Sequence, residues 1–204
     1  MLPDYAARRR ELDSVIADCK RIMDPSEGFA VLDTETTGLG GDDRICDIAV
    51  TTPAGDVVID QRIDPQIPVP PGAARIHGLT NDALRGEPTW DIFFPYFLAE
   101  LTRRGIRGLV IYNAAFDMRM IRQSSAAYPS LSEGTRDFFD AYAPAWCAMH
   151  LYSAWCGEYQ EWSDDYRWQR LPGGDHTALG DCRAAARAIA RAARQDPPDA
   201  GARW

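Results

Sequence analysis

Phe29 to Asp33 is a short apolar run that leads directly into two carboxylates, Asp33 and Glu35. This feature restricts the fold of the chain more than any other. An extended strand sends alternate side chains to opposite faces, so residues two apart point to the same side. Two carboxylates side by side on a strand built for a core repel each other. They are costly to bury unless a cation sits between them. The pair reads either as a metal site or as a strand end, with Asp33 capping the turn at Thr36-Thr37-Gly38 and Glu35 solvated.

The residues around this strand set its company. Leu12, Val15, Ile16, Cys19, Ile22 and Met23 recur at three- and four-residue steps and predict an amphipathic helix ending at Asp24-Pro25-Ser26-Glu27-Gly28. Ile45 to Thr51 and Val57 to Ile63 read as a hairpin around Pro53-Ala54-Gly55-Asp56. Asp64 to Pro71 is too rich in proline for a central strand. Trp90 to Arg103 reads as a helix that Pro95 either kinks or starts, Leu109 to Tyr112 as a fourth strand, and Asp117 to Ala126 as the helix behind it. Ser130 to Gly174 has little legible pattern beyond a helix around Met149 to Cys156. Thr177 to Arg194 is a helix with Ala178, Cys182, Ala185, Ala186 and Ile189 inward, and Asp196-Pro197-Pro198 ends it before a frayed tail. Strands first and strand–helix alternation afterwards predict an α/β layered fold with a central mixed sheet flanked by helices. The expected organisation is an N-terminal helical extension over 1–26, one catalytic domain over 27–195 and a tail over 196–204.

Two further motifs carry carboxylates. Asn113-Ala114-Ala115-Phe116-Asp117 follows the fourth strand, placing Asp117 at the carboxyl edge of the sheet, where open α/β sheets bind ligands. Aspartate is also favoured at helix starts for reasons of dipole alone. His176-Thr177-Ala178-Leu179-Gly180-Asp181 follows Gly173-Gly174, a setting for a histidine on a mobile loop five residues before a carboxylate. Oxygen ligands suit hard ions such as Mg²⁺ or Mn²⁺ rather than zinc. Two such ions about 4 Å apart serve in-line displacement at phosphorus.

Taken together, Asp33-Thr34-Glu35-Thr36-Thr37-Gly38, Asn113 to Asp117, and His176 with Asp181 resemble the DEDDh exonucleases, the DnaQ-like branch of the ribonuclease H-like fold. The resemblance runs in order from about Phe29 to Ala193, and Ile76-His77-Gly78-Leu79-Thr80 is similar to a loop that the family carries. It implies that Asp33, Glu35 and Asp181 hold a first metal, that Asp33 bridges to a second with Asp117 helping, and that His176 is the general base. It also implies that the backbone near Thr36, Thr37 and Gly38 grips the terminal nucleotide, with Leu39 and Phe116 stacking on it and Asn113 beside it. His77 is expected to be structural or to position substrate, and His150 to lie in the core or at the surface.

The implied activity is 3′→5′ hydrolysis of nucleic acid to nucleoside 5′-monophosphates with two Mg²⁺ or Mn²⁺, preferring single-stranded or frayed DNA. Trimming of RNA and work as a proofreading subunit are the alternatives. A net charge of −8, with Lys20 the only lysine among mostly arginine cations, fits a grip on a strand end better than a long groove. The N-terminal helix either docks a protein partner or covers a sheet edge. Trp155, Tyr159, Trp162, Tyr166 and Trp168, interleaved with Arg167 and Arg170, form either a satellite core or a stacking platform for a single strand. Five scattered cysteines without a CxxC pair read as reduced thiols, mostly buried. With no apolar run long enough for a membrane span and no h-region after Arg8-Arg9-Arg10, the expected location is the cytoplasm.

Overall fold

A computed structural model describes residues 5–194 of the 204-residue chain. The expectations for the tail, including the stop at Asp196-Pro197-Pro198, lie outside the described residues. Five strands form one sheet in the order β3-β2-β1-β4-β5. They are β1 (Phe29–Thr36), β2 (Ile45–Thr51), β3 (Val57–Arg62), β4 (Gly108–Ile111) and β5 (Trp146–Cys147). β1 runs antiparallel to β2 and parallel to β4, and β3 and β5 complete the two edges, so the sheet is mixed as expected.

Alternation on these strands builds two apolar layers. Leu32, Ile48, Val50, Leu109 and Ile111 face α4 (Trp90–Arg103), α5 (Ala114–Ala126) and α6 (Ser132–Tyr142). Phe94, Phe97 and Phe138 stack in that layer with ring centres about 6 Å apart, a spacing that suits aromatic pairs. Val31, Ala49 and Val110 face α1 (Tyr5–Met23), α7 (Ala148–Cys156) and α8 (Ala178–Arg194). The small residues of α8, including Ala178, Cys182, Ala185 and Ile189, let that helix lie close over the centre of the sheet. Its N-terminus thereby arrives beside the end of β1.

Several elements differ from the sequence reading. α4 runs through Pro95 instead of starting there. Pro95 is exposed, so the missing N–H falls on the solvent side of the helix. Two short helices, α2 (Pro71–His77) and α3 (Asn81–Leu84), follow the proline-rich loop and pack Leu79 and Leu84 against Cys46. α6 lies in the stretch that carried no clear period. α5 begins three residues before Asp117.

The apolar face of α1 is spent within the chain: Leu12, Val15, Cys19 and Ile22 are buried against α7 and α8. The aromatic segment divides. Trp155 and Tyr166 are buried, whereas Trp162 and Trp168 are exposed by 83% and 62%. Tyr159 and Tyr166 meet edge to face across a small hairpin of β6 (Tyr159–Gln160) and β7 (Asp165–Tyr166). All five cysteines are free, with Cys19, Cys46 and Cys182 buried. Among the described residues no helix is long and apolar enough to cross a membrane.

Candidate active site

β1 outruns its parallel neighbour. β4 ends at Ile111, paired with Leu32, while β1 continues to Thr36 with β2 alone. Beyond the end of β4, the Thr34 N–H donates to Asp117 Oδ1 at 3.0 Å, and the Thr34 hydroxyl donates to the same oxygen at 2.7 Å. Asp117 is 2% exposed. It is tied to the sheet across 83 residues of sequence rather than serving the end of its own helix. Asn113, with φ 65°, precedes α5 in the left-handed region and makes no side-chain cap.

Asp33 and Glu35 follow Val31 on the face covered by α8, as period-2 alternation requires. Asp181, in the first turn of α8, meets them there. Its Oδ1 accepts the N–H groups of Asp175 (2.8 Å) and His176 (3.2 Å), so one carboxylate fixes the loop that carries the histidine. Ligand atoms of Glu35, His176 and Asp181 all lie within 4.8 Å of one another. His176 is exposed and has φ 61°, a conformation that a residue with a Cβ rarely holds without such anchoring.

A fifth carboxylate joins the group. Asp47 on β2 pairs with Glu35 across the antiparallel ladder and is buried, with Oδ1 lacking a hydrogen bond among the described residues. Burial first, and then the charges of Asp117, Asp181, Glu35 and Asp47, hold the Asp33 carboxyl well above the ordinary range. Burial with Asp181 and Asp47 pushes Glu35 up to about 8. Burial pushes Asp117 up to about 7 against the opposing pull of Thr34, and burial with Asp60 raises Asp47 to about 6. The site is one that protons or cations must neutralise.

This has a consequence for stability. Unfolded carboxyls titrate near pH ~4. The folded site therefore binds more protons than the unfolded chain between there and about pH 8. Its contribution to stability is full below the unfolded values and is lost as pH rises through the folded ones. In EDTA the melting temperature is expected to fall from pH 5 to pH 8, and the rise on adding Mn²⁺ to be larger at pH 8 than at pH 5.5. Calorimetry showing a metal effect independent of pH would contradict this.

The other expected site residues occupy varied positions. Thr36 and Thr37 are buried and hold the turn: Thr36 Oγ1 donates to Gly38 O at 2.8 Å, and Thr37 Oγ1 to Asp43 Oδ1 at 2.7 Å. The Thr37 N–H is already bonded to Arg44 O. Gly38 admits the Asp43 carboxylate, which would lie 2.6 Å from a Cβ there. Leu39 stands 78% exposed at the rim. Arg119 spans the carbonyl of Leu39 and the ring of Phe116, bringing those two residues into one wall.

His77 is buried, its Nδ1 accepting the Leu79 N–H at 3.1 Å. Burial lowers its pKa while the Thr36 main chain raises it, and it stands apart from the Glu35–His176–Asp181 group. It lines a neighbouring cavity of about 560 Å³ together with Asp47, Arg62 and Thr177. His150 is exposed at the surface, 6.4 Å from the ring of Trp168.

The histidine loop depends on a close approach. Asp175 Oδ1 accepts the Thr177 N–H (3.1 Å) and hydroxyl (2.7 Å), and a Cβ at Gly180 would lie 2.0 Å from that oxygen. Gly180→Ala favours helix by intrinsic propensity, yet it must displace Asp175 and the His176 backbone beside it. Turnover is expected to drop by up to about 10²-fold, the cost of misplacing a reacting group by roughly 1 Å. Full activity in this variant would show that the loop tolerates the shift.

A mixed sheet flanked by helices defines a ribonuclease H-like fold, and carboxylates from two strands and two helices gather where β1 overhangs β4. The exonuclease (RNase T) family model matches residues 30–189. The chain belongs to that family, and within it to the DnaQ-like 3′–5′ exonucleases. It is 33% identical over 171 residues to the uncharacterized exonuclease CP81 of Escherichia phage 186, covering 74% of this chain and 81% of that one. It is also 33% identical over 107 residues to a DNA polymerase III subunit epsilon-like protein of Rhodobacter capsulatus, a match spanning 47% of this chain and 14% of that protein. Exonuclease X in complex with 5′ overhanging duplex DNA superposes with a TM-score of 0.51 at 26% identity, covering 79% of this chain and 88% of its own. E. coli Exonuclease I in complex with a dA16 oligonucleotide shares the fold at a TM-score of 0.55 and 17% identity, over 78% of this chain and 39% of its own.

Proposed function

We propose that the protein is a metal-dependent 3′→5′ exonuclease acting on single-stranded or frayed DNA and releasing nucleoside 5′-monophosphates. The observation that carries this reading is the convergence of Asp33, Glu35, Asp117 and Asp181 with His176 at one rim of the sheet. The donor set fits hard divalent cations. It is oxygen-rich, and burial together with the neighbouring carboxylates holds Asp33, Glu35 and Asp117 above their ordinary range, so these groups ionise together only with positive charge among them.

In this reading Asp33, Glu35, Asp117 and Asp181 would hold two Mg²⁺ or Mn²⁺ ions. The pair of ions, when bound, supplies a more acidic water and stabilises charge on the leaving oxygen. His176 takes the proton of the attacking water as the bond between phosphorus and the 3′-oxygen breaks. The Asp181 oxygen that accepts the Asp175 and His176 N–H groups keeps the imidazole at the site. Leu39 and Phe116 offer faces to the terminal base, and Asn113 and the Thr36–Gly38 turn border its sugar and phosphate. His77 acts through the turn, beside Thr36. Residues 27–195 form the catalytic domain, with 1–26 as an extension and 196–204 as a tail. The cytoplasm is the proposed location.

The likeness to Exonuclease X, solved with 5′ overhanging duplex DNA, supports DNA over RNA. An assembly in which α1 docks a polymerase draws no support from that helix, whose apolar face is covered by α8. Digestion of a single-stranded DNA oligonucleotide with Mn²⁺, followed by chromatography, is expected to yield nucleoside 5′-monophosphates alone. Nucleoside 3′-monophosphates or internal fragments would refute the reading.

A further inference from the structure

The aromatic segment ahead of the histidine loop contains two exposed tryptophans, and their surroundings differ. Trp162 sits in the β6–β7 turn among Glu161, Asp164 and Asp165, a setting that repels phosphate. Trp168 lies in sequence between Arg167, which pairs with Glu158 Oε2 at 3.1 Å, and Arg170. The main chain around Trp168 is held firmly: Gln169 donates its N–H to Ser153 Oγ at 3.2 Å and accepts from the Tyr112 hydroxyl at 2.8 Å. On the other side, Tyr166 is buried with its hydroxyl on Glu11 Oε2 at 2.8 Å. An indole left 62% exposed on a backbone fixed at both sides is a preorganised surface.

Position gives that surface a purpose. Tyr112 directly follows β4 and precedes Asn113, so the bond from Tyr112 to Gln169 fastens the Trp168 segment to the turn between β4 and α5. An open groove of about 430 Å³ is lined by Asn113, Ala114, Met118, Arg122, Phe139 and His150. Its lining includes Asn113, four positions before Asp117 in the sequence, and His150, whose ring centre lies 6.4 Å from that of Trp168. On the groove wall the Arg122 guanidinium lies 4.3 Å from the centre of the Phe139 ring, offering a cation to a phosphate that passes.

We infer that Trp168 stacks on a base of the single strand upstream of the terminal nucleotide, with His150 behind the indole and Arg122 on the path between. This extends the active site proposed above and rests on that reading for the direction of the strand. Stacking on an aromatic ring is indifferent to base identity, so the contact sets preference for strand length and single-strandedness rather than for sequence.

Binding tests the inference apart from turnover. In an Asp33→Asn background, fluorescence anisotropy of 5′-labelled dT12 with Mg²⁺ is compared with and without Trp168→Ala, and calorimetry follows dT2. The affinity for dT12 is expected to fall roughly tenfold and to be largely restored by Trp168→Phe, while the affinity for dT2 is unchanged. No change for dT12, an equal loss for dT12 and dT2, or no binding of dT12 by the protein that retains Trp168 would overturn the inference. If binding behaves as expected and the wild-type protein hydrolyses no DNA, the stacking surface stands and the proposed catalysis fails.

Discussion

Replacing Asp33 by asparagine is expected to abolish hydrolysis while raising the melting temperature of the metal-free protein. Burial first, and then the charges of Asp117, Asp181, Glu35 and Asp47, disfavour an ionised Asp33. Asparagine keeps the shape and removes the charge, so the like-charge repulsion and the cost of burying an ion both fall. The same change removes one of the carboxylates that would hold the cations. The loss of turnover should exceed the roughly 10²–10³-fold that follows removal of a single hydrogen bond to a transition state. Activity and stability moving in opposite directions would mark a site that trades one for the other. A variant that lost both together would point to a folding role for Asp33 and remove it from the chemistry.

His176→Ala is the second large effect, with a different signature. A general base contributes typically 10²–10⁴-fold, so kcat is expected to fall by about that factor with KM little changed. Asp181 is bonded to the backbone N–H of His176 and not to its ring, so the loop anchor survives the change. The His176 ring lies near Glu35 and Asp181, close enough to be considered as a ligand. Calorimetric titration with Mn²⁺ separates the two roles. Unchanged metal affinity with lost turnover supports the base, and a loss of affinity equal to that of Asp181→Ala would make His176 a ligand instead. His176→Asn is a useful companion, since asparagine tolerates the left-handed backbone at this position better than alanine.

Much of this is legible in the sequence. The first strand, the hairpin and the final helix follow from apolar periodicity, which local sequence reports directly. The same-face placement of Asp33 and Glu35 follows from the pleat alone. What was hidden depended on pairing between distant segments. Asp47 lies in the apolar strand Ile45–Thr51 and reads as an isolated polar residue. Only the register that sets it opposite Glu35 places it beside the site, and that register is fixed across the long 37–44 connection. Alternation on β2, with Asp47 and Ala49 on one face, was the signal available.

Asp117 looked like a helix-start residue because Thr34, its partner, is 83 positions away. The helices at 71–77 and 81–84 are short, and tertiary burial of Leu84 supplies what periodicity lacked, whereas the amphipathic helix at 132–142 buries only Phe138 and Tyr142. The aromatic segment could not be resolved as core or platform because it is both: Trp155 and Tyr166 inside, Trp168 outside.

The central claim is that these carboxylates, with His176, run metal-dependent hydrolysis from a 3′ end. A 5′-labelled single-stranded DNA incubated with the protein and Mg²⁺ tests it most directly, beside EDTA and Asp33→Asn controls. The account predicts a ladder that shortens one nucleotide at a time, disappears in EDTA and is absent in the variant. Immediate release of a labelled mononucleotide, internal cleavage, or a ladder that survives in Asp33→Asn would contradict it.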